Sequence, residues 1–170
     1  FMMFNIKKHN DNLYNTLLGL SRNIFFYKEI KLQDSFETRI YLMFFHFSII
    51  MKIFKKKGSK FDQSSYDSLF HNIENNLREL GFGDVSVNKK MKDMNKLLYD
   101  ILLKIDEKNE EANIKVIKIN KKLIIKYFKE LNDTKSESYK KFERYFIDFY
   151  NFCFDISLDS MIREIVKFKK

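Results

Sequence analysis

The chain has 170 residues, of which 45% are hydrophobic and 16% aromatic, so it is too apolar to stay disordered and long enough to bury a core within one domain, expected to span residues 1–170. Its single cysteine, Cys153, excludes an internal disulfide and a cysteine-based zinc site. The formal charge of +9 would attract polyanions without regard to sequence, but the excess is in Lys, and the abundance of Lys, Asn, Ile and Phe is what an AT-rich genome produces, so charge is a weak indication of nucleic-acid binding.

With no Pro, no Trp and four Gly there are few breakers, which favours an all-α fold of six or seven long helices. Phe1-Met2-Met3 reads as a chain start, and Lys7-Lys8-His9-Asn10-Asp11 follows without an apolar signal core or cleavage site. Leu13, Leu17 and Leu18 give a first amphipathic helix, opened by Asp11 or Asn12, with Gly19 in it or at its end. Asp34-Ser35-Phe36-Glu37 has capping-box form and launches a long helix. From Ile40 to Phe54 only His46, Ser48 and Lys52 interrupt its apolar body. A membrane span needs about 20 apolar residues, and this run falls short. It reads as a central core helix that neighbours must enclose or that presents one side to an apolar partner.

Lys55-Lys56-Lys57-Gly58 closes that helix, and Asp62 or Ser64 opens the next, with an inner stripe of Tyr66, Leu69, Phe70, Ile73, Leu77 and Leu80. Gly81 stops it, because a helix terminus favours a residue that tolerates positive φ. Phe82 folds back over the last turn, Gly83 frees the bend, and Asp84 or Ser86 caps a helix starting at about Val87. There Met91, Met94, Leu98, Ile101, Leu102 and Ile105 share one face, while Lys89, Lys92 and Lys96 point elsewhere. A charged stretch from Asp106 to Glu111 precedes a helix expected over Ile114 to Leu131, with Ile117, Ile124, Phe128 and Leu131 on one side. Thr134-Lys135-Ser136-Glu137 is a second capping box, and Tyr139, Phe142, Phe146, Phe149 and Cys153 stripe the helix after it. A last helix runs from about Leu158 through Val166.

His9, His46 and His71 are too dispersed for a metal site, and each reads as a satisfied core or surface histidine. Glu79 and Asp84 come without a nucleophile or phosphate loop, and Cys153 has no activating neighbour in sequence. No enzyme, cofactor or small-molecule substrate is expected.

Leu77-Arg78-Glu79-Leu80-Gly81-Phe82-Gly83-Asp84-Val85-Ser86-Val87, followed by Lys89-Lys90-Met91 and Leu98-Tyr99, resembles the signature of the ubiquinol-cytochrome c chaperone family. Arg22 with Phe25-Phe26-Tyr27, and His46 after Arg39, are similar to the family as well, so the resemblance covers about Tyr14 to Ile105. Asn72-Ile73-Glu74 stands where the family has Asp-Met-Asp, and Asn88, Lys90, Asp100 and Ile101 also depart from its usual residues. The resemblance implies a non-catalytic chaperone that holds newly made cytochrome b near the ribosome exit for assembly of ubiquinol-cytochrome c reductase. Contact with the ribosome or an assembly-factor partner is expected as well, and with no transit segment in view the chain is expected in the bacterial cytoplasm or peripheral to the inner membrane. The alternative is a basic RNA- or ribosome-binding helical protein using Lys89, Lys90, Lys92 and Lys96.

The client is expected in a groove lined by Phe44, Phe45, Phe47, Ile49 and Met51, with Met91 and Met94 opposite, since flexible Met and large Phe surfaces repack around varied apolar segments. Arg78, Asp84, Lys89 and Lys90 would form its polar rim, and Gly81 and Gly83 would fix the angle between the helices. The competing reading makes all these apolar residues core and the charges merely solvated.

Overall fold

The computed structural model describes residues 2–106 and 117–169, with the backbone alone over residues 2–11. The elements in chain order are α1 (Met2–Ser21), α2 (Ile24–Lys28), α3 (Phe36–Lys56), α4 (Gln63–Glu79), α5 (Asp84–Lys104), α6 (Lys121–Tyr127), α7 (Glu137–Phe154) and α8 (Met161–Glu164). Short 3-10 turns occupy Lys129–Leu131, Leu158–Ser160 and Ile165–Lys167. The fold is all-α: no strand occurs among the described residues, and a lone antiparallel bridge joins Asp106 to Ile119.

The helix ends follow local hydrogen-bond chemistry, with some shifts from the expected positions. α1 already begins at Met2, well before Asp11 or Asn12. Ser35 rather than Asp34 caps α3, its Oγ accepting from the Thr38 N–H at 3.2 Å, because Asp34 is drawn to the Arg39 guanidinium at 2.6 Å. Ser136 likewise replaces Thr134 as the cap of α7, accepting from the Tyr139 N–H. Asp62 caps α4 as expected. α5 starts at Asp84, with Gly83 as its cap and no side-chain acceptor there. Asp84 sits in the first turn, where a negative charge opposes the positive end of the helix dipole.

Gly58 and Gly81 close α3 and α4 in the left-handed region, at φ 75° and 95°. At Gly81 the glycine N–H bonds the Arg78 carbonyl and the Phe82 N–H reaches the Leu77 carbonyl at 3.2 Å, satisfying two carbonyls that the helix end leaves open. The same pair of bonds occurs at Gly58 and Ser59.

α3 is the hub, packed against α1, α5 and α7, while α4 lies on α1 and α5. Every residue from Leu42 to Ile50 is buried, as an all-round apolar helix requires. The α7 stripe meets it: Phe45 lies against Phe142 and Phe146, with ring centroids 6.1 and 5.5 Å apart, and Phe128 closes the cluster. The one ionisable side chain in this run is neutral and satisfied. A carbonyl only accepts, so His46 Nδ1–H donates to the Leu42 carbonyl at 2.6 Å and Nε2 accepts from the Tyr145 hydroxyl at 2.7 Å. Burial holds His46 down at about 3, opposed only in part by the Leu42 hydrogen bond.

Beyond α5 the expected helix is much shorter. The charged stretch at 107–111 and the expected helix start at Ile114 lie outside the described residues. Ile117 and Ile119 are buried ahead of α6, which Asn120 caps. The C-terminal helix is reduced to α8 between two 3-10 turns, with Met161 and Ile165 as its anchors.

Candidate functional site

The first turns of α3 differ from its body. Phe36, Arg39 and Tyr41 are only half-buried, and two clefts open on either side of them. The larger, about 360 Å³, lies between α1, α3 and the end of α4, with Leu18, Ile40, Met43 and Ile73 as apolar lining and Leu80 at its edge. The smaller, about 160 Å³, lies between α3 and α5, lined by Ile40, Tyr41, Met94 and Leu97. Phe36 and Ile40 belong to both.

The polar groups of the two clefts are unequal. In the larger, Arg39 is tied to Asp34 through Nε and Nη2, and the Asn76 amide donates to the Tyr14 hydroxyl at 3.2 Å. Burial raises the Tyr14 phenol above its ordinary value. Arg22 lines this cleft without an ion pair among the described residues. In the smaller cleft the charged groups are Glu37, Asp93 and Lys90. The Lys90 ammonium sits 4.6 Å above the centre of the Phe82 ring, a cation–π contact that pins the side chain toward the glycine turn.

The residues expected to line a groove divide into two sets. Phe44, Phe45, Phe47 and Ile49 are fully buried, so the groove does not run along the middle of α3. Phe44 stacks on Phe70, Phe45 meets the α7 aromatics, and Phe47 meets Phe61. The physical reason is that α1, α4, α5 and α7 together cover all sides of this stretch. Met51 and Met91 are half-buried against the core. Met94 and Lys90 do line a cleft, opposite the first turns of α3 rather than opposite Phe44 to Met51.

Of the expected rim, Arg78 reaches back to Glu74 at 3.1 Å and forward to Asp84, which latches the end of α4 to the start of α5. Lys89 is exposed. Leu80, expected in the inner stripe of α4, is instead 56% exposed because the helix ends there and the chain turns away. With Phe82 and Val85 it makes the glycine turn an exposed apolar corner.

Phe36 and Ile40 line both clefts and Tyr41 the smaller one, and none of the three belongs to the groove lining expected from the apolar run. Their signal lay in the alternation of Phe36, Glu37, Arg39 and Ile40, the pattern of a helix segment covered on one side. What the two clefts offer is apolar surface, hydrogen bonds and charge. Among the described residues no group of three or more His, Cys, Asp and Glu side chains is arranged to hold a metal ion, and burial raises the Cys153 thiol, which keeps it protonated.

A family model described as ubiquinol-cytochrome C chaperone matches residues 28–119, which include α3, α4 and α5 and thus most of the lining of both clefts. Comparison with curated proteins and with solved structures returns no significant match.

Proposed function

The chain belongs to the ubiquinol-cytochrome C chaperone family, and we propose that it acts without catalysis in assembly of ubiquinol-cytochrome c reductase by holding newly made cytochrome b, or a similar apolar segment, at the clefts beside the start of α3. The family match over residues 28–119 carries this reading. The physical support is a surface of the right kind: Phe36, Tyr41 and Leu80 present apolar area that the protein's own helices leave partly uncovered, next to a cleft containing Met94. Fully burying an exposed Leu or Phe side chain is worth about 1.5–3 kcal/mol, and these partly covered ones have the uncovered share of that left to give to a client.

No described helix is long and apolar enough to cross a membrane, and in this reading the protein meets its client from the membrane surface. Ribosome or assembly-factor contact is assigned to the exposed basic side of α5, where Lys89, Lys92 and Lys96 lie outside both clefts. Deleting the gene tests the reading. The expected outcome is loss of assembled reductase with unassembled cytochrome b degraded; a normal amount of assembled enzyme and intact respiration would remove the proposed role.

A further inference from the structure

The two clefts share Phe36 and Ile40 but carry opposite charge. On the α1 side stand Arg22 and Arg39 against Asp34, and because Arg39 and Asp34 neutralise each other, Arg22 is the charge left over. Glu79 is close enough to act on the Tyr14 phenol at this end, which tempers the positive charge without pairing with Arg22. On the α5 side stand Glu37 and Asp93 against Lys90, so one negative charge is left over. Neither Glu37 nor Asp93 has an ion-pair partner among the described residues, and Lys90 is engaged with the Phe82 ring.

An apolar segment lying across Phe36 would therefore have one end beside a positive group and the other beside two negative ones. Resting on the chaperone reading above, we propose that this surface selects an apolar helical segment flanked by charges of opposite sign, its acidic flank beside Arg22 and its basic flank beside Glu37 and Asp93. Apolar contact supplies most of the affinity and is indifferent to direction. The charged ends fix which way the segment lies, the usual division between burial and electrostatics in recognition.

The probes are four fluorescent peptides with one apolar helical body and Lys/Glu, Glu/Lys, Lys/Lys or Glu/Glu flanks, added to the full chain at low salt. The native protein should bind both mixed peptides about threefold to fivefold more tightly than the like-charged ones, the size expected of exposed ion pairs. Arg22→Glu should shift the preference to Lys/Lys, and the double variant Glu37→Lys with Asp93→Lys should shift it to Glu/Glu. All these positions are at the surface, and unchanged circular dichroism and melting of each variant would confirm that it folds. Equal binding of all four peptides, or preferences that the variants leave unmoved, would overturn the inference while leaving the apolar-client reading intact. Binding of none of them would remove both. Concentration-dependent self-association abolished by Arg22→Glu would assign the surface to a second copy of the chain and likewise overturn it.

Discussion

His46 gives the sharpest stability prediction, because a neutral histidine is locked in the centre of the molecule. Its Nδ1–H is held by the Leu42 carbonyl and its Nε2 by the Tyr145 hydroxyl, with Phe146 and Phe149 rings 4.9 and 4.8 Å from its own. Burial lowers it from 6.5 to about 3 in the folded chain. Between those values the unfolded chain takes up a proton that the folded chain refuses, so stability is fully present above pH 6.5 and falls as pH drops through the window. At 1.36 kcal/mol for each pKa unit, the loss between pH 7.5 and pH 5 is about 2 kcal/mol from this residue alone. For a chain of this length that lowers the melting temperature by roughly 4–8 °C. Carboxylates titrate in the same range, so the quantity to measure is a difference. Urea unfolding of the native protein and of His46→Gln across pH 5–7.5 should show curves that diverge by about 2 kcal/mol at the acid end. Parallel curves would refute the buried neutral imidazole.

Phe45→Ala removes a fully buried ring from the α3–α7 contact and should cost about 3–5 kcal/mol in urea unfolding; a loss under about 1 kcal/mol would mean that the middle of α3 is not core. Two glycine substitutions should have opposite signs. Gly81→Ala meets no neighbouring atom but must hold φ 95°, and it should lose about 1–2 kcal/mol by thermal melting. Gly19→Ala, inside α1 and also free of close neighbours, should gain about 0.5–1 kcal/mol by the same measurement.

The sequence made the glycine turn and the hub helix readable because both depend on strong local signals. Gly81 stands where α4 has to stop, and a run such as Leu42 to Ile50 cannot face water. Cap positions were less legible: Asp34 and Ser35 are equally good acceptors in sequence, and a side-chain partner at Arg39 decided between them. Phe44, Phe45, Phe47 and Ile49 are buried rather than open to a groove for a related reason. Composition identifies the most apolar stretch, but whether such a stretch is covered depends on how many helices converge on it. Phe44 to Ile50 is covered on every side, with Phe70 and Phe146 among the rings against it, whereas Phe36, Arg39 and Tyr41 stay partly open. The shortening of the helix expected from Ile114 reflects the turn of the chain at Ile117 to Asn120, where the Asn120 N–H bonds the Ile105 carbonyl at 3.0 Å. No periodicity in sequence encodes that contact.

An apolar client received beside the start of α3 would be caught there by crosslinking during synthesis. A photoreactive phenylalanine analogue placed at Phe36, which belongs to both clefts, should capture newly made cytochrome b. The same analogue at Leu103, an exposed apolar residue of α5 that lines neither cleft, should not. Capture from Leu103 alone, or equal capture from both, would show that the client is not received beside the start of α3.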